Sequence, residues 1–158
     1  MKGISSPPVA LTNKPSGKLY LRNSQDDLAT GTLTKVEMAD VMTGFTDGIE
    51  DTVNNRITPG VAGLYTVHAL VDFIHIDQGA MQHLFLKMNG SDYHVQKEQA
   101  SAVGGTAEHQ SMEVSIELWF DDDDYIELWV KTESSGDNVD VGGHTEGQAT
   151  YLEVQRVR

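Results

Sequence analysis

Residues 63–73 read GLYTVHALVDF, and this stretch decides the fold class. Two sets of side chains alternate along it, which is typical of a β-strand, because successive side chains in a strand point to opposite faces. One set is apolar throughout and is predicted to face the core: Tyr65, Val67, Ala69, Val71 and Phe73. The other set, which includes His68 and Asp72, is predicted to point away from it.

A second strong signal follows this strand. Residues 84–88 and 93–95 are short strand-like runs on either side of Asn89-Gly90. Asn-Gly in this position predicts a β-hairpin, because both residues tolerate the positive φ of a type I′ turn.

The C-terminal third repeats the alternation. Apolar residues alternate with polar and aromatic ones over residues 114–120 and again over residues 126–130. The four consecutive aspartates at 121–124 are predicted to form the turn between these runs. Residues 149–157 are predicted to form the last strand.

Other segments carry weaker signals. Residues 18–22 are predicted to be the first strand, and residues 36–42 fit either a strand or one helical turn, with a strand preferred. Residues 96–110 and 134–143 are rich in Gly, Ser, Asp and other polar residues and are predicted to be long exposed loops. Short strands punctuated by turn residues favour an all-β sandwich or barrel.

Length and composition exclude several classes of protein. The chain has 158 residues, a length typical of one domain, and a formal net charge of −13. It has no cysteine, which excludes disulfide scaffolds, cysteine-ligated zinc and thiol catalysis. An acidic body repels phosphate, so no nucleic-acid partner is expected. No apolar run approaches the ~20 residues of a membrane helix, so no membrane partner is expected.

The charge is unevenly distributed along the chain. Residues 1–22 contain four basic and no acidic residues, whereas the rest of the chain carries a formal charge of −17. Three of the four prolines also lie in this segment and favour extended backbone. We therefore predict an extended basic arm over residues 1–17, followed by one domain over residues 18–158. The arm either lies on an acidic surface or is a solvated tail.

No constellation of residues predicts catalysis or a cofactor. The six histidines lack the spacing of a sandwich metalloenzyme, and His68 and His75 should lie on opposite faces of a strand. The aspartates at 121–124 offer oxygen ligands for calcium but lack the spaced pattern of a calcium loop, so a solvated turn is preferred. Glu117 and Glu127 are predicted to point outward on neighbouring strands. The chain is therefore expected to be no enzyme and to bind no metal or other cofactor.

Three aromatic residues require a different explanation. Trp119, Trp129 and Tyr151 alternate with apolar core residues and are therefore predicted to lie on the outside of the sheets. Large exposed aromatics are enriched in the cores of protein interfaces, so these three residues are predicted to lie in a subunit interface. The alternative is a carbohydrate platform on which a tryptophan stacks against a sugar.

Four motifs in order resemble the trimeric jelly rolls of the tumour necrosis factor and complement globular-head superfamily. Residues 59–67, PGVAGLYTV, are similar to that family's "aGlY-x-v" strand, and residues 85–90, FLKMNG, to its "l-x-k-N-G" hairpin. Residues 113–130 are similar to a hairpin with the pattern "l-x-x-G-D-x-v-x-l", except that aspartate stands where the family has glycine. Residues 149–154 are similar to the closing strand.

The resemblance implies an all-β fold, a ten-stranded two-sheet jelly-roll sandwich forming a homotrimer, whose activity is binding. Domains of this type also occur in bacteriophage virions. The expected function is that of a capsid decoration (cement) protein on the outer surface of the virion, which docks on the major capsid protein. The arm is expected to dock through Lys2, Pro7, Pro8, Lys14 and Lys18. The alternative is a receptor- or glycan-binding head of a phage fibre or a secreted binding module.

Overall fold

The computed structural model describes residues 14–45, 48–76, 79–99, 107–133 and 139–157, apart from the side chains of residues 97–99, 107 and 108. These residues contain no helix and form thirteen strands. In chain order the strands are β1 (Ser16–Tyr20), β2 (Gln25–Leu28), β3 (Thr34–Lys35), β4 (Asp40–Val41), β5 (Glu50–Asp51), β6 (Arg56–Ile57), β7 (Gly63–Ile76), β8 (Met81–Met88), β9 (Ser91–Gln99), β10 (Ala107–Phe120), β11 (Ile126–Glu133), β12 (Val139–Val141) and β13 (Tyr151–Arg156).

Seven strands form the first sheet, called sheet A. Its centre is β7, which pairs along its whole length with β10 on one side. On the other side β7 pairs first with β13 and then with β12. The sheet continues from β13 to β1 and β4, and from β12 to β2. All of these strand pairs are antiparallel.

The other six strands form sheet B. Strand β11 lies at its centre, with β8 and then β9 on one side. On its other side β11 pairs with β6 and β3, and β6 pairs with β5. The two antiparallel sheets confirm the predicted all-β sandwich. The count exceeds ten because the short segments β3 to β6 are two residues each.

The alternation along β7 creates the core. All five residues that were predicted to face inward are buried, and the Tyr65 ring packs edge to face against Phe120 with 5.3 Å between ring centroids. The Tyr65 hydroxyl donates to the carbonyl of Val61 at 2.7 Å, which satisfies the polar end of this buried side chain. Leu84, Leu86, Leu128 and Val130 complete the core from sheet B.

The predicted hairpin at Asn89-Gly90 is confirmed. Met88 pairs with Ser91, and the two residues between them have φ angles of 52° and 77°. Asn89 Oδ1 also accepts a hydrogen bond from the backbone N–H of Tyr125 at 3.0 Å, and its Nδ2 donates to Asp124 at 2.6 Å. The asparagine therefore ties the hairpin to the aspartate turn.

The aspartate turn does not close a hairpin, which corrects the expectation from the resemblance. Residues 121–125 carry the chain from β10 in sheet A to β11 in sheet B. Within the turn, Asp124 accepts a hydrogen bond from the backbone N–H of Asp121 at 2.7 Å and so caps it. Asp122 and Asp123 are exposed, as expected for a solvated turn.

Because β10 and β11 lie in different sheets, Glu117 and Glu127 are not neighbours. Glu117 is exposed on β10, as predicted, but Glu127 is only 7% exposed, which corrects the prediction that it points into solvent. Glu127 lies 2.5 Å from Lys35 Nζ and accepts a hydrogen bond from Trp129 Nε1 at 2.9 Å. Such partners are what a buried carboxylate requires.

The predicted loops are shorter than expected. Strand β9 extends to Gln99 and β10 begins at Ala107, because β10 follows β7 over the full length of both. Strand β12 lies within the second predicted loop, where Val139 and Val141 are buried and Val141 pairs with Phe73. Of residues 36–42, two form a strand.

Candidate functional site

The outward side of sheet A is the candidate site. Registered pairs across β10, β7 and β13 place one side chain of each strand in successive rows on this side. We call it the outer face of sheet A and define it by these residues: Lys18, Leu64, Thr66, His68, Leu70, Asp72, Ile74, His109, Ser111, Glu113, Ser115, Glu117, Trp119, Tyr151 and Glu153.

A polar cluster occupies the middle of this face. His68 Nε2 lies 2.6 Å from Glu113 Oε1, and the imidazole packs edge to face against the Tyr151 ring at 5.2 Å. The Lys18 ammonium group lies 3.5 Å from the centroid of the Tyr151 ring and 3.5 Å from Glu153 Oε2. We call these five residues the central cluster. They come from four adjacent strands and meet only because of the sheet register.

The surroundings of Tyr151 in the cluster disfavour ionisation of its hydroxyl. Burial raises its pKa, and the negative charges of Glu113 and Glu153 raise it further, because each of these effects disfavours a phenolate. The hydroxyl lies 3.3 Å from His68 Nδ1 and remains protonated at neutral pH. Tyr151 therefore acts in the cluster as a neutral polar group.

A second histidine pairs with a carboxylate further along the same face. His109 Nδ1 lies 3.1 Å from Asp72 Oδ2, and the Ser111 hydroxyl donates to Asp72 Oδ1 at 3.1 Å. The face therefore carries two histidine–carboxylate pairs. It also carries Glu117 and Glu153, while its one lysine, Lys18, contacts Glu153.

The three aromatic residues predicted for the interface do not share one surface. Trp119 and Tyr151 lie on the outer face of sheet A, and Trp119 is 60% exposed at the end of β10, opposite Leu64. Trp129 lies on the outside of sheet B. Lys35 and Lys87 place their ammonium groups 5.8 and 4.9 Å from its ring centroid, so the protein's own side chains cover it.

The residues predicted to form the docking arm fall into three groups. Lys2, Pro7 and Pro8 lie outside the described residues. Lys14 is exposed and donates to the carbonyl of Val157 at 3.2 Å. Lys18 lies within β1 and belongs to the central cluster, and β1 begins at Ser16, so the sheet already includes residues that the sequence assigned to the arm.

Within the described ranges, no three His, Asp or Glu side chains gather closely enough to hold a metal ion. In the aspartate turn, Asp124 is already engaged by Asn89 and by the backbone of Asp121. His75, the other histidine considered in the sequence, pairs with Asp140 at 2.8 Å rather than with a second histidine.

Sequence reasoning did not find the central cluster. The alternation along β7 correctly placed His68 outside the core, but nothing in the sequence showed which residues of β10, β13 and β1 lie beside it. The only available signal was a histidine in the middle of a strand flanked by apolar residues. The partners depend on strand register, which the alternation does not specify.

Comparison with solved structures identifies the fold. The chain is similar to the structure of Eiger TNF from S. frugiperda, with a TM-score of 0.65 and 6% sequence identity. The likeness covers 92% of this chain and 93% of the other. It shows that the sandwich is a jelly roll of the tumour necrosis factor kind, as the sequence motifs implied.

Comparison by sequence gives no relative. No protein-family model matches the chain, and no curated protein matches it. The part of the chain that the structure describes contains no helix long and apolar enough to cross a membrane.

Proposed function

We propose that this chain is a non-enzymatic structural protein that assembles as a homotrimer through the outer face of sheet A. The observation that carries the proposal is the exposure of Trp119 on a face where Leu64, Leu70 and Tyr151 also point outward. Exposed aromatic and aliphatic side chains on one face are typical of a protein–protein contact. The sequence motifs also support a trimer, because they resemble those of trimeric jelly rolls.

The contrast with sheet B supports this choice of face. On sheet B, Trp129 is covered by two lysines and bonded to Glu127, and Lys87 in turn contacts Asp92 at 3.2 Å. The aromatic ring and the charges around it therefore already have partners within one chain. Among the described residues Trp119 has no comparable cover: its side chain is 60% exposed, and its indole N–H makes a long hydrogen bond of 3.3 Å to Asp121.

The proposed setting is the outer surface of a virion, where the trimer decorates the capsid. A basic arm ahead of a strongly acidic body supports docking on another protein, because the two parts of the chain carry opposite charge. In this role three arms spread from one trimer onto neighbouring copies of the major capsid protein. Each trimer then adds buried area across the joints of the shell and stabilises it.

The first test is the mass of the purified protein in solution, measured by light scattering. The full chain and a variant lacking residues 2–13 are both expected to have the mass of three chains. The deletion stops at residue 13 because Lys14 and Pro15 bond to the backbone near the end of β13. A monomer for the full chain would overturn the proposed assembly.

The second test is co-sedimentation with capsids of the virus that encodes the chain. The full trimer is expected to sediment with the capsids, and the variant lacking residues 2–13 is expected to stay in solution. The double variant Lys2→Gln and Lys14→Gln separates charge from length. It is expected to bind more weakly than the full chain at low salt and to depend less on salt, because salt screens the attraction of the charges it lacks. Undiminished binding by the deletion variant would contradict docking through the arm.

One observation favours a second candidate, a glycan-binding head. Trp119 is an exposed ring beside the carboxylate of Asp121, and a sugar can stack on such a ring while its hydroxyls bond to the carboxylate. A glycan array would detect such binding. Under this alternative, Trp119→Ala abolishes glycan binding and leaves the mass of the assembly unchanged.

A further inference from the structure

We propose that assembly through the outer face of sheet A takes up protons at His68 and His109, so that the trimer is tighter at mildly acidic pH than at neutral pH. This inference rests on the proposed homotrimer. It adds that pH controls how tightly the three chains assemble.

The negative charge of the outer face of sheet A opposes assembly unless positive charge is added. Its described side chains include four carboxylates, Asp72, Glu113, Glu117 and Glu153, and one lysine, Lys18. In the separate chain these carboxylates are partly solvated, and water screens their mutual repulsion. When the faces of three chains meet, water leaves and carboxylates of different chains approach one another. Burying an unpaired charge is costly, so the acidic face opposes its own assembly at neutral pH.

His68 is placed to offset part of this charge. Its Nε2 lies 2.6 Å from Glu113 Oε1, and Glu153 occupies the paired position on β13. Among the described residues, the one other cation that faces this part of the cluster is Lys18 of β1, and it contacts Glu153. Tyr151 stays neutral and contributes no charge. When His68 is neutral, the charge of Glu113 has no positive partner at this contact. A proton on His68 therefore turns the contact into an ion pair, which is less costly to bury than the carboxylate with a neutral ring.

A proton on His109 offsets the charge of Asp72 in the same way at the other end of the face. It lies 3.1 Å from Asp72 Oδ2, and Ser111 donates to the other oxygen of the same carboxylate. On the far side of β7, Asp140 of β12 pairs with Ile74, the residue that also pairs with His109, and its carboxylate contacts His75. Glu113 of β10 is a further charged group on the same strand as His109. Among the side chains that the structure describes, the charged groups that face His109 from neighbouring strands are carboxylates, apart from the exposed His75.

The size of the effect follows from linkage. Histidine is the side chain that ordinarily gains a proton between pH 8 and pH 5. If assembly takes up about two protons per trimer across one pH unit, the three-chain association constant rises about 100-fold. The concentration of half-assembly then falls about tenfold, because it varies with the square root of that constant.

The experiment measures half-assembly of the full chain by light scattering over a dilution series at pH 5.8 and pH 7.8, at one ionic strength, with and without EDTA. The wild-type concentration of half-assembly is expected to be at least about tenfold lower at pH 5.8, because the interval of two pH units contains the one unit over which the protons are taken up. The double variant His68→Gln and His109→Gln is expected to lose the difference. His83→Gln is the matched control, because His83 also lies near a carboxylate, Glu133 at 3.4 Å, but on sheet B.

A second variant protects the test against misfolding. His68→Lys together with His109→Lys keeps a positive charge beside each carboxylate at both pH values, and it is expected to assemble tightly at both. Circular dichroism confirms that each variant is folded. Where the trimer is too tight to dilute, the rate of exchange between labelled and unlabelled trimers replaces the dilution series.

Three results would overturn the inference. The first is a wild-type trimer with equal half-assembly concentrations at the two pH values, which leaves the proposed trimer intact. The second is a pH effect that persists in the double glutamine variant. The third is a pH effect that exists only without EDTA, which indicates a bound cation instead of a proton. A chain that is monomeric at both pH values would overturn the proposed function as well.

Discussion

The carboxylate of Asp140 accepts two hydrogen bonds, from the backbone N–H of Asp27 at 2.7 Å and from His75 at 2.8 Å. Both donors belong to residues with positive φ, 57° for Asp27 and 58° for His75, a conformation that is unfavourable for residues other than glycine. Asp140 is only 8% exposed. One buried side chain thus holds two strained backbone positions on different strands.

We therefore expect Asp140→Ala to lower the free energy of unfolding by about 2 to 4 kcal/mol, because two hydrogen bonds to a charged group are lost. Urea unfolding followed by circular dichroism measures this change. Asp122→Ala is the matched control, since Asp122 is exposed in the aspartate turn, and it should change stability by less than about 0.5 kcal/mol. Equal effects of the two substitutions would contradict the anchoring role of Asp140.

Two tyrosines make the free energy of unfolding fall as pH rises in the alkaline range. Burial raises the pKa of Tyr65 and of Tyr151 above the ordinary value of 10.0, and Glu113 and Glu153 add to the effect at Tyr151. The unfolded chain therefore ionises these phenols at lower pH than the folded chain does. Their contribution to stability is fully present below about pH 10 and is lost as pH rises through the folded pKa.

We expect Tyr151→Phe to make the free energy of unfolding fall less steeply above pH 10 than in the wild type. Urea unfolding at several pH values between 8 and 11 measures the slope. Tyr93→Phe serves as the control, because Tyr93 is 54% exposed and should leave the slope unchanged. If Tyr93→Phe flattens the curve and Tyr151→Phe does not, the assignment to the central cluster is wrong.

At the scale of strands, Glu117 and Glu127 show what the sequence conveys and what it does not. Both alternate with apolar residues in the same way, so the pattern predicts the same environment for each. In the structure Glu117 is exposed, whereas Glu127 is buried between Lys35 of β3 and Trp129 of β11. Strand β3 is two residues long, and its pairing with β11 brings Lys35 to Glu127.

We expect Glu127→Ala to lower the free energy of unfolding by about 2 to 3 kcal/mol, because it leaves the Lys35 ammonium group and the Trp129 indole N–H without this partner. Glu117→Ala should change stability by less than about 0.5 kcal/mol. Thermal or urea unfolding of the two variants in the same buffer makes the comparison. A larger loss for Glu117→Ala would mean that β10, not β11, carries the buried carboxylate.

Strand β7 and the hairpin at Asn89 were predictable because their signals are local. Alternation identifies the buried face, and the φ angles of Asn89 and Gly90 depend on residue type. The assignment of β10 and β11 to different sheets was not predictable, since a short turn serves a hairpin and a crossing between sheets equally well. Strand β12 was not predicted, because three residues are too few to show an alternation of apolar and polar side chains.

The same reasoning explains the limits of the predicted site. Alternation placed Trp119, Trp129 and Tyr151 outside the core, and all three do point away from it, but a sandwich has two outsides. Which sheet each residue faces depends on long-range pairing: β13 pairs with β7 in sheet A, and β11 pairs with β8 in sheet B. The histidine–carboxylate pairs likewise depend on register between β7 and β10.

At the scale of the whole molecule, the two tryptophans provide a test of which sheet forms the proposed subunit contact. They are the only tryptophans in the chain, and they lie on opposite sheets. Assembly through the outer face of sheet A predicts that Trp119→Ala raises the concentration of half-assembly at least about tenfold, because a tryptophan in an interface commonly contributes about 2 kcal/mol or more. Trp129→Ala should leave that concentration unchanged and lower the melting temperature, since it removes the ring that Lys35 and Lys87 cover.

The two measurements, half-assembly by light scattering and melting by circular dichroism, separate the outcomes because each variant should change only one of them strongly. Weakened assembly for Trp129→Ala alone would place the contact on sheet B, where the interface prediction from the sequence also put a residue. Weakened assembly for both variants would require a contact in which the outside of sheet B of one chain meets the outer face of sheet A of the next. A closed three-fold ring permits such a head-to-tail contact, because each chain in it contributes two different surfaces.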